Sequence, residues 1–258
     1  MPGFENLPSY LVIWVALVLM AAGFVQGALG VGFPMLATPL IAMVTDMRTA
    51  VILVLLPCVA TTVTNIVTAG PIGATLKRFW FMPLCMLAGA LLGAHVFVAY
   101  AAFPFALLLA GVVLIYVYLD RIGYAHWPVV ARNEAAFGVV FGFIAGFTEG
   151  AANIAAPPLL MYVLSLNLER AMLVQVLNLC FTVGKPTQMF VLTTEGGVTW
   201  TQWAITLPFA ALATATTLIG VYVRNRIDTA TFRRWLLRFL LLVALVLIAQ
   251  YGVKAWAG

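Results

Sequence analysis

Apolar residues follow one another along this chain in blocks of about twenty, broken by charges and by clusters of Pro and Gly. A helix needs about 20 such residues to cross a hydrocarbon core roughly 30 Å thick, and within the blocks no apolar–polar alternation suggests strands. Three blocks of span length lie near Thr49–Ala69, Phe79–Tyr100 and Phe103–Leu119, preceded by a longer stretch from Leu7 to Val44. A polar connector from Asp120 to Asn133 follows. Then come a second odd stretch, Glu134 to Leu164, and three more spans at Ala171–Leu192, Trp200–Val223 and Trp235–Trp256. The pattern is an odd segment plus three spans, twice.

The odd segments have the wrong length for one straight helix. At 1.5 Å per residue Leu7–Val44 would measure about 55 Å, while Glu134–Leu164 is too short for two full crossings. Both fit a hairpin of two helices, wholly or partly spanning. The halves also resemble each other in sequence. Gly23-Phe24-Val25-Gln26-Gly27 aligns with Gly142-Phe143-Ile144-Ala145-Gly146, Pro39-Leu40 with Pro158-Leu159, and, past a two-residue slip, Ala50 with Ala171 and Thr61 with Thr182. We expect an internal duplication: residues 1–119, a connector at 120–133, and residues 134–258.

Composition narrows the class. The chain is 64% hydrophobic and 8% charged, against about 25% charged residues in soluble domains. That excludes a soluble globular protein and a disordered chain, and three Cys do not make a disulfide scaffold. An outer-membrane barrel would show alternating strands. The expected fold is an all-α polytopic membrane protein. The N-terminal region has Glu5 as its only charge and no basic n-region, so no cleaved signal peptide is expected.

The net charge of +5 acquires meaning through position and does not indicate nucleic acid. Lys77, Arg78, Arg121, Arg132, Arg170, Arg224, Arg226, Arg233, Arg234 and Arg238 fall in connections that can all be cytoplasmic. Arg48 and Lys254 then lie outside and Lys185 within a span. This holds only if each odd segment begins and ends on one side, the first outside and the second inside, so that the halves are inverted-topology repeats, each a broken hairpin plus three transmembrane helices. A parallel duplication with long tilted helices is the alternative; it would put Arg170 opposite Arg121 and Arg132.

The expected hairpin tips are Gly27–Pro34 and Gly146–Pro158, where Gly allows a sharp turn and Pro suits the first turn of the outgoing helix. Free N–H groups at such breaks suit an anion, and the candidates are Gly30, Gly32 and Phe33 in the first tip and Ala151 and Asn153 in the second. Close helix packing is the plainer use of the same glycines. The span after each hairpin carries a polar face: Gln175, Asn178, Thr182, Lys185 and Gln188 in the second half, and Thr61, Thr64, Asn65 and Thr68 in the first. A lysine deep in a span costs several kcal/mol unless paired or hydrated. Lys185 is therefore the foremost candidate, with Glu149 as its partner, either as anion site and coupling group or as a structural ion pair. His95 is expected to be packed, His126 solvated, and Cys58, Cys85 and Cys180 small apolar packers. No phosphate-binding loop, zinc motif or nucleophile elbow occurs, so no cofactor, metal or enzyme activity is expected, and ATP-driven transport would need a partner chain.

On Gly23–Leu40, Gly142–Leu159, the Arg48-Thr49-Ala50 helix start and the duplicated layout, the chain resembles the sulfite exporter TauE/SafE family. In place of further glycines expected in the second tip stands Glu149-Gly150-Ala151-Ala152-Asn153. The resemblance implies a multi-pass permease of a bacterial or archaeal cytoplasmic membrane for sulfite, organosulfonates or related anions, without a nucleotide domain. The expected function is secondary transport of such an anion between the tips. Lys185 supplies the countercharge, Thr61, Asn65, Asn178, Thr182 and Gln188 supply polar contacts, and a coupling proton, if there is one, uses Glu149. A cation or neutral-solute carrier using Glu149, and a non-transport scaffold, are the alternatives.

Overall fold

The computed structural model describes residues 8–100, 118, 128–153 and 155–224, with scattered positions from 226 to 249. The expected spans Phe103–Leu119 and Trp235–Trp256, apart from isolated positions, lie outside the described residues, as do Arg121, His126, Arg233 and Lys254. All described elements are helices: α1 Ser9–Leu29, α2 Phe33–Ala42, α3 Met47–Thr68, α4 Gly73–Phe79, α5 Phe81–Ala99, α6 Pro128–Arg132, α7 Glu134–Ala152, α8 Ala156–Ser165, α9 Arg170–Thr194, α10 Trp200–Ile205 and α11 Leu207–Arg224. Among the described residues, five stretches are long and apolar enough to cross a membrane: α1, α3, α5, α7 and the α10–α11 run Trp200–Arg224. At 25 residues α9 is the longest described helix, yet it is not one of the five. Its polar stripe lowers its hydropathy, and such a helix is tolerated in a bilayer where its neighbours cover that face.

Each odd segment is a hairpin of one long helix and one of 10 residues. Ten residues rise about 15 Å, half the hydrocarbon core. The first hairpin turns at Gly30 (φ 76°) and Gly32 (φ 116°), left-handed conformations that glycine adopts without a Cβ penalty, and Pro34 sits in the first turn of α2. Asn153, at φ 60°, makes the equivalent turn after α7, and Pro157 and Pro158 open α8. A side-chain bond closes each hairpin far from its tip: Trp14 Nε1 donates to the Leu40 carbonyl (3.2 Å) and the Tyr162 hydroxyl to the Glu134 carbonyl (3.1 Å).

Helices pair across the halves. Helix α1 lies parallel to α11, and α7 lies parallel to α5, both at a backbone separation that excludes a Cβ. A Cβ at Gly27 would overlap the Thr217 carbonyl oxygen and one at Gly220 that of Phe24; at Gly146 and Gly93 it would overlap the Met86 and Phe147 carbonyl oxygens. Between these pairs, α3 and α9 cross antiparallel, with Thr182 Oγ1 3.3 Å from Thr62 Oγ1 and Asn178 Oδ1 3.5 Å from Asn65 Nδ2. Two apolar clusters flank the crossing. One is built on Met86, Phe141, Leu159, Leu160, Leu177 and Phe181, the other on Leu19, Phe33, Ile41, Leu53 and Phe209. Outward faces are apolar too, as Ile13, Leu17, Leu84, Leu92 and Ile219 show, which suits lipid.

Two polar contacts fix helix starts. The Asp46 carboxylate caps α3, accepting from the Thr49 amide (3.0 Å) and hydroxyl (2.6 Å). Partial burial pushes this carboxyl up, but the Thr49 hydrogen bonds outweigh it and hold the group below its ordinary value. Its stabilisation is thus fully present at neutral pH and is lost as pH falls through its depressed folded value. Asp46→Ala is expected to cost about 1 kcal/mol, read as a lower unfolding midpoint in detergent at neutral pH, with the gap from wild type closing in acid. Where α5 and α7 begin, Arg78 grips Glu134 through two bonds (2.8 and 2.6 Å), which holds the guanidinium above its ordinary value. The pair is partly exposed, so Glu134→Gln should lower stability by about 1 kcal/mol or less, and less still in high salt.

Candidate substrate site at the helix breaks

Three described residues carry a buried formal charge, Glu149, Lys185 and Arg224, and all lie at the hairpin tips or the helices beside them. Glu149 and Lys185 are fully inaccessible. Helix α9 organises the arrangement, because its i, i+3, i+4 and i+7 positions share one face. Asn178 meets the first tip and Lys185 the second, seven residues or about 10 Å further along.

At the first tip, Gln26 donates to Asn178 Oδ1 (2.9 Å) and accepts from the Phe33 amide (2.9 Å). Asn178 Nδ2 donates to the Gly30 carbonyl (2.7 Å), and Asn65 Nδ2 to the Gln26 carbonyl (3.0 Å). The Arg224 guanidinium closes this cluster on Asn65 Oδ1 (3.1 Å), with Thr68 at 3.5 Å. Every side chain here is satisfied by another, so the tip is a rigid, hydrogen-bonded plug.

At the second tip, the Lys185 ammonium contacts both Glu149 Oε1, as an ion pair, and Asn153 Oδ1. Asn153 Nδ2 reaches across to Thr38 Oγ1 in α2 (2.8 Å), so the second tip is tied to the first hairpin. Gln188 Nε2 donates to the Gly150 carbonyl (3.0 Å). Two acceptors are left over: Glu149 Oε2 and Gln188 Oε1 are buried and without a hydrogen-bond partner among the described residues. Buried acceptors are ordinarily satisfied, and this tip is therefore the place with unspent hydrogen-bonding capacity.

Lys185, Glu149, Asn153 and Gln188 thus meet around one tip, and Asn65, Asn178, Gly30 and Phe33 around the other. Some expected contributions lie elsewhere. The Phe33 amide is spent on Gln26. Ala151 lies inside the α7 ladder and the Asn153 amide donates to the Glu149 carbonyl (2.8 Å). Pro157 and Pro158 bring no N–H to the start of α8, so positive potential at this tip comes chiefly from Lys185. Gly32 serves the turn. Thr61 donates to the Cys58 carbonyl and Thr64 to that of Ala60, both in their own helix, while Thr182 donates to Asn178 and touches Thr62. Gln175 pins the α3–α4 connection through the Thr75 hydroxyl (2.5 Å) and the Gly70 carbonyl (3.0 Å). His95 is not packed: half-exposed, it contacts Glu195 at 2.9 Å, because its ring reaches past the end of α9. Arg224 belongs to the buried network, not to the solvated basic loop expected for it, because its long side chain runs back along α11 to Asn65.

Three participants escaped the sequence reading. Gln26 and Thr38 are lone polar residues in apolar stretches, a signal strong enough in a membrane helix to have singled them out. Arg224 ends an apolar span next to other arginines, and nothing in one dimension separates it from them.

A multi-pass helical membrane protein whose buried charges gather where its helices break is of the kind that moves solutes across bilayers. The chain belongs to the sulfite exporter TauE/SafE family, whose profile matches residues 15–247, and is thus a membrane transport protein. No curated protein and no solved structure matches it.

Proposed function

We propose that this protein is a secondary transporter that exports a small sulfur-containing anion, such as sulfite or an organosulfonate, across a bacterial or archaeal cytoplasmic membrane by alternating access. One observation carries the choice of an anion. Among the described residues the buried core holds two cations, Lys185 and Arg224, and a single carboxylate, Glu149. The surplus is positive, and a buried surplus charge is costly until an opposite charge joins it. The anion sits against Lys185 at the second tip, with Asn153 and Gln188 as its polar contacts, while Asn178, Asn65 and the glycines at 30 and 32 hold the first tip in place beside it.

Two inverted repeats, residues 1–119 and 134–258, provide the machinery. Five elements recur in order with matching lengths: 21, 10, 22, 7 and 19 residues from α1 to α5, and 19, 10, 25, 6 and 18 from α7 to α11. The pairing of α1 with α11 is repeated by that of α7 with α5. The equivalent helices α3 and α9 cross antiparallel near Thr62 and Thr182, as a two-fold axis in the membrane plane requires; an axis along the normal would leave them parallel. Inversion brings the two hairpins in from opposite sides of the membrane, and movement of one hairpin unit against the other opens the site to each face in turn.

Uptake of radiolabelled sulfite and methanesulfonate into vesicles reconstituted with the purified protein tests this. Saturable flux above empty vesicles, with each anion inhibiting the other, is expected; absence of flux for both refutes it. A cation or neutral-solute carrier is the second reading, favoured by the unpartnered Glu149 Oε2, and it expects Glu149→Gln to abolish uptake of such a solute while Lys185 variants act on stability.

A further inference from the structure

We infer that Glu149 is a carried proton's binding site, and that each singly charged anion bound at Lys185 takes one proton onto Glu149, so that the transported unit is electrically neutral. The inference rests on the anion reading above and adds that transport is proton-coupled, with one proton per anion, on the carboxylate the sequence singled out. Its starting point is that the ammonium an anion needs is already occupied. Lys185 is paired with Glu149 Oε1 and bonded to Asn153, and the whole group is inaccessible to solvent. Arg224 is engaged with Asn65 at the first tip, so an anion arriving at the second tip while Glu149 stays ionised would put two negative charges against the one ammonium there, which a low-dielectric interior disfavours strongly. If Glu149 takes a proton, the account balances. The lysine–carboxylate pair breaks, the lysine–anion pair forms, and the proton from water ends on the carboxyl. The pair is neutral before the exchange, and the lysine, anion and neutral acid sum to zero after it.

Among the described residues around Glu149, no other group takes up the difference. From α9 it faces Lys185 and the backbone of Gly184, where an added Cβ would lie 3.3 Å from Glu149 Cγ. From α3 it feels Cys58, a fully buried thiol. On α5, Cys85 packs against Gly142 and His95 engages Glu195; on α8, Tyr162 bonds at the far end of the hairpin to Glu134. None of these is a second acid or base at the site. Glu149 Oε2, buried and without a partner among the described residues, is free to carry the hydrogen. One consequence is directional. A neutral unit does not feel the membrane potential, so the anion gradient and the pH difference alone set the direction of net movement.

The test is flux of methanesulfonate, whose charge is constant across the neutral range, and of sulfite, in vesicles holding a trapped pH dye and a potassium diffusion potential. With methanesulfonate, wild type should move one proton with each anion, give no current and ignore the imposed potential, and its apparent affinity should rise about tenfold per unit fall in pH while Glu149 is ionised. Glu149→Gln should carry current, lose proton movement and lose the pH dependence, and its unfolding midpoint should rise more with added methanesulfonate than that of wild type, since the anion then replaces the missing carboxylate. Current and potential-driven flux in wild type overturn the inference while leaving the anion reading in place. So does proton movement with methanesulfonate that persists in Glu149→Gln. No flux of either probe removes both readings. Wild-type proton counting decides the question even where the variant does not fold.

Discussion

Replacing Lys185 by Met should abolish anion transport and also destabilise the protein, and the two effects can be separated. Lys185→Met removes the countercharge and leaves Glu149 buried without a partner, a situation that costs about 3–5 kcal/mol where one member of a buried pair is lost. Lower yield and a lower unfolding midpoint are therefore expected, and alone they would say nothing about transport. The double replacement Lys185→Met with Glu149→Gln removes both charges, and apolar or neutral substitutes for a buried pair are often neutral or stabilising. The double variant should regain the wild-type midpoint within about 1 kcal/mol and still show no sulfite or methanesulfonate flux. Transport by the well-folded double variant would exclude Lys185 from the site and return it to a purely structural role.

The second large effect concerns the glycine contacts that set the hairpins in place. A Cβ at Gly146 meets the Met86 carbonyl oxygen and the Ala90 amide, and one at Gly150 meets the backbone of Ala90 and Ala94. These are backbone atoms within regular helices and cannot rotate away. Gly146→Ala must therefore push α7 off α5, forfeiting dispersion along the whole contact, and overpacking of this kind costs about 1–3 kcal/mol. Gly146→Leu should prevent accumulation of folded protein. Gly27→Ala, against Thr217 in the α1–α11 contact, should behave as Gly146→Ala does, because the two interfaces are built alike. Gly73→Ala is the control: a Cβ there meets nothing within 4 Å, and the residue opens a helix, so stability should be unchanged or slightly raised. Unfolding midpoints in detergent check the three alanine variants, and the yield of folded protein checks Gly146→Leu. Gly146→Ala should also reduce transport out of proportion to its midpoint, since α7 carries Glu149 and Asn153 to Lys185.

The membrane class, the helix breaks and the foremost charged pair were legible along the chain for one physical reason. Transfer of a segment into a bilayer is nearly a sum over its residues, so a run of apolar side chains announces a span wherever it folds, and the few charges inside must find one another. The observed helices Met47–Thr68, Phe81–Ala99 and Arg170–Thr194 lie within a few residues of the expected spans. Lys185 and Glu149 meet as their rarity required. Hydrogen-bond partnership is not additive in this way. Gln26 and Asn178 are 152 residues apart, and Arg224 and Asn65 are 159 apart; only the crossing of α3 over α9 and the seating of α11 beside α1 bring them within reach. The same holds for the amides expected to bind the anion. Their presence at a break could be read from Gly and Pro, but that Gln26 occupies the Phe33 amide and leaves Lys185 as the main positive source depends on where a side chain from the preceding helix lands. Hydropathy, summed residue by residue, thus says what enters the membrane and where the helices must break. Close backbone contact at the glycines, which is a matter of distance in space, chooses which polar group answers which.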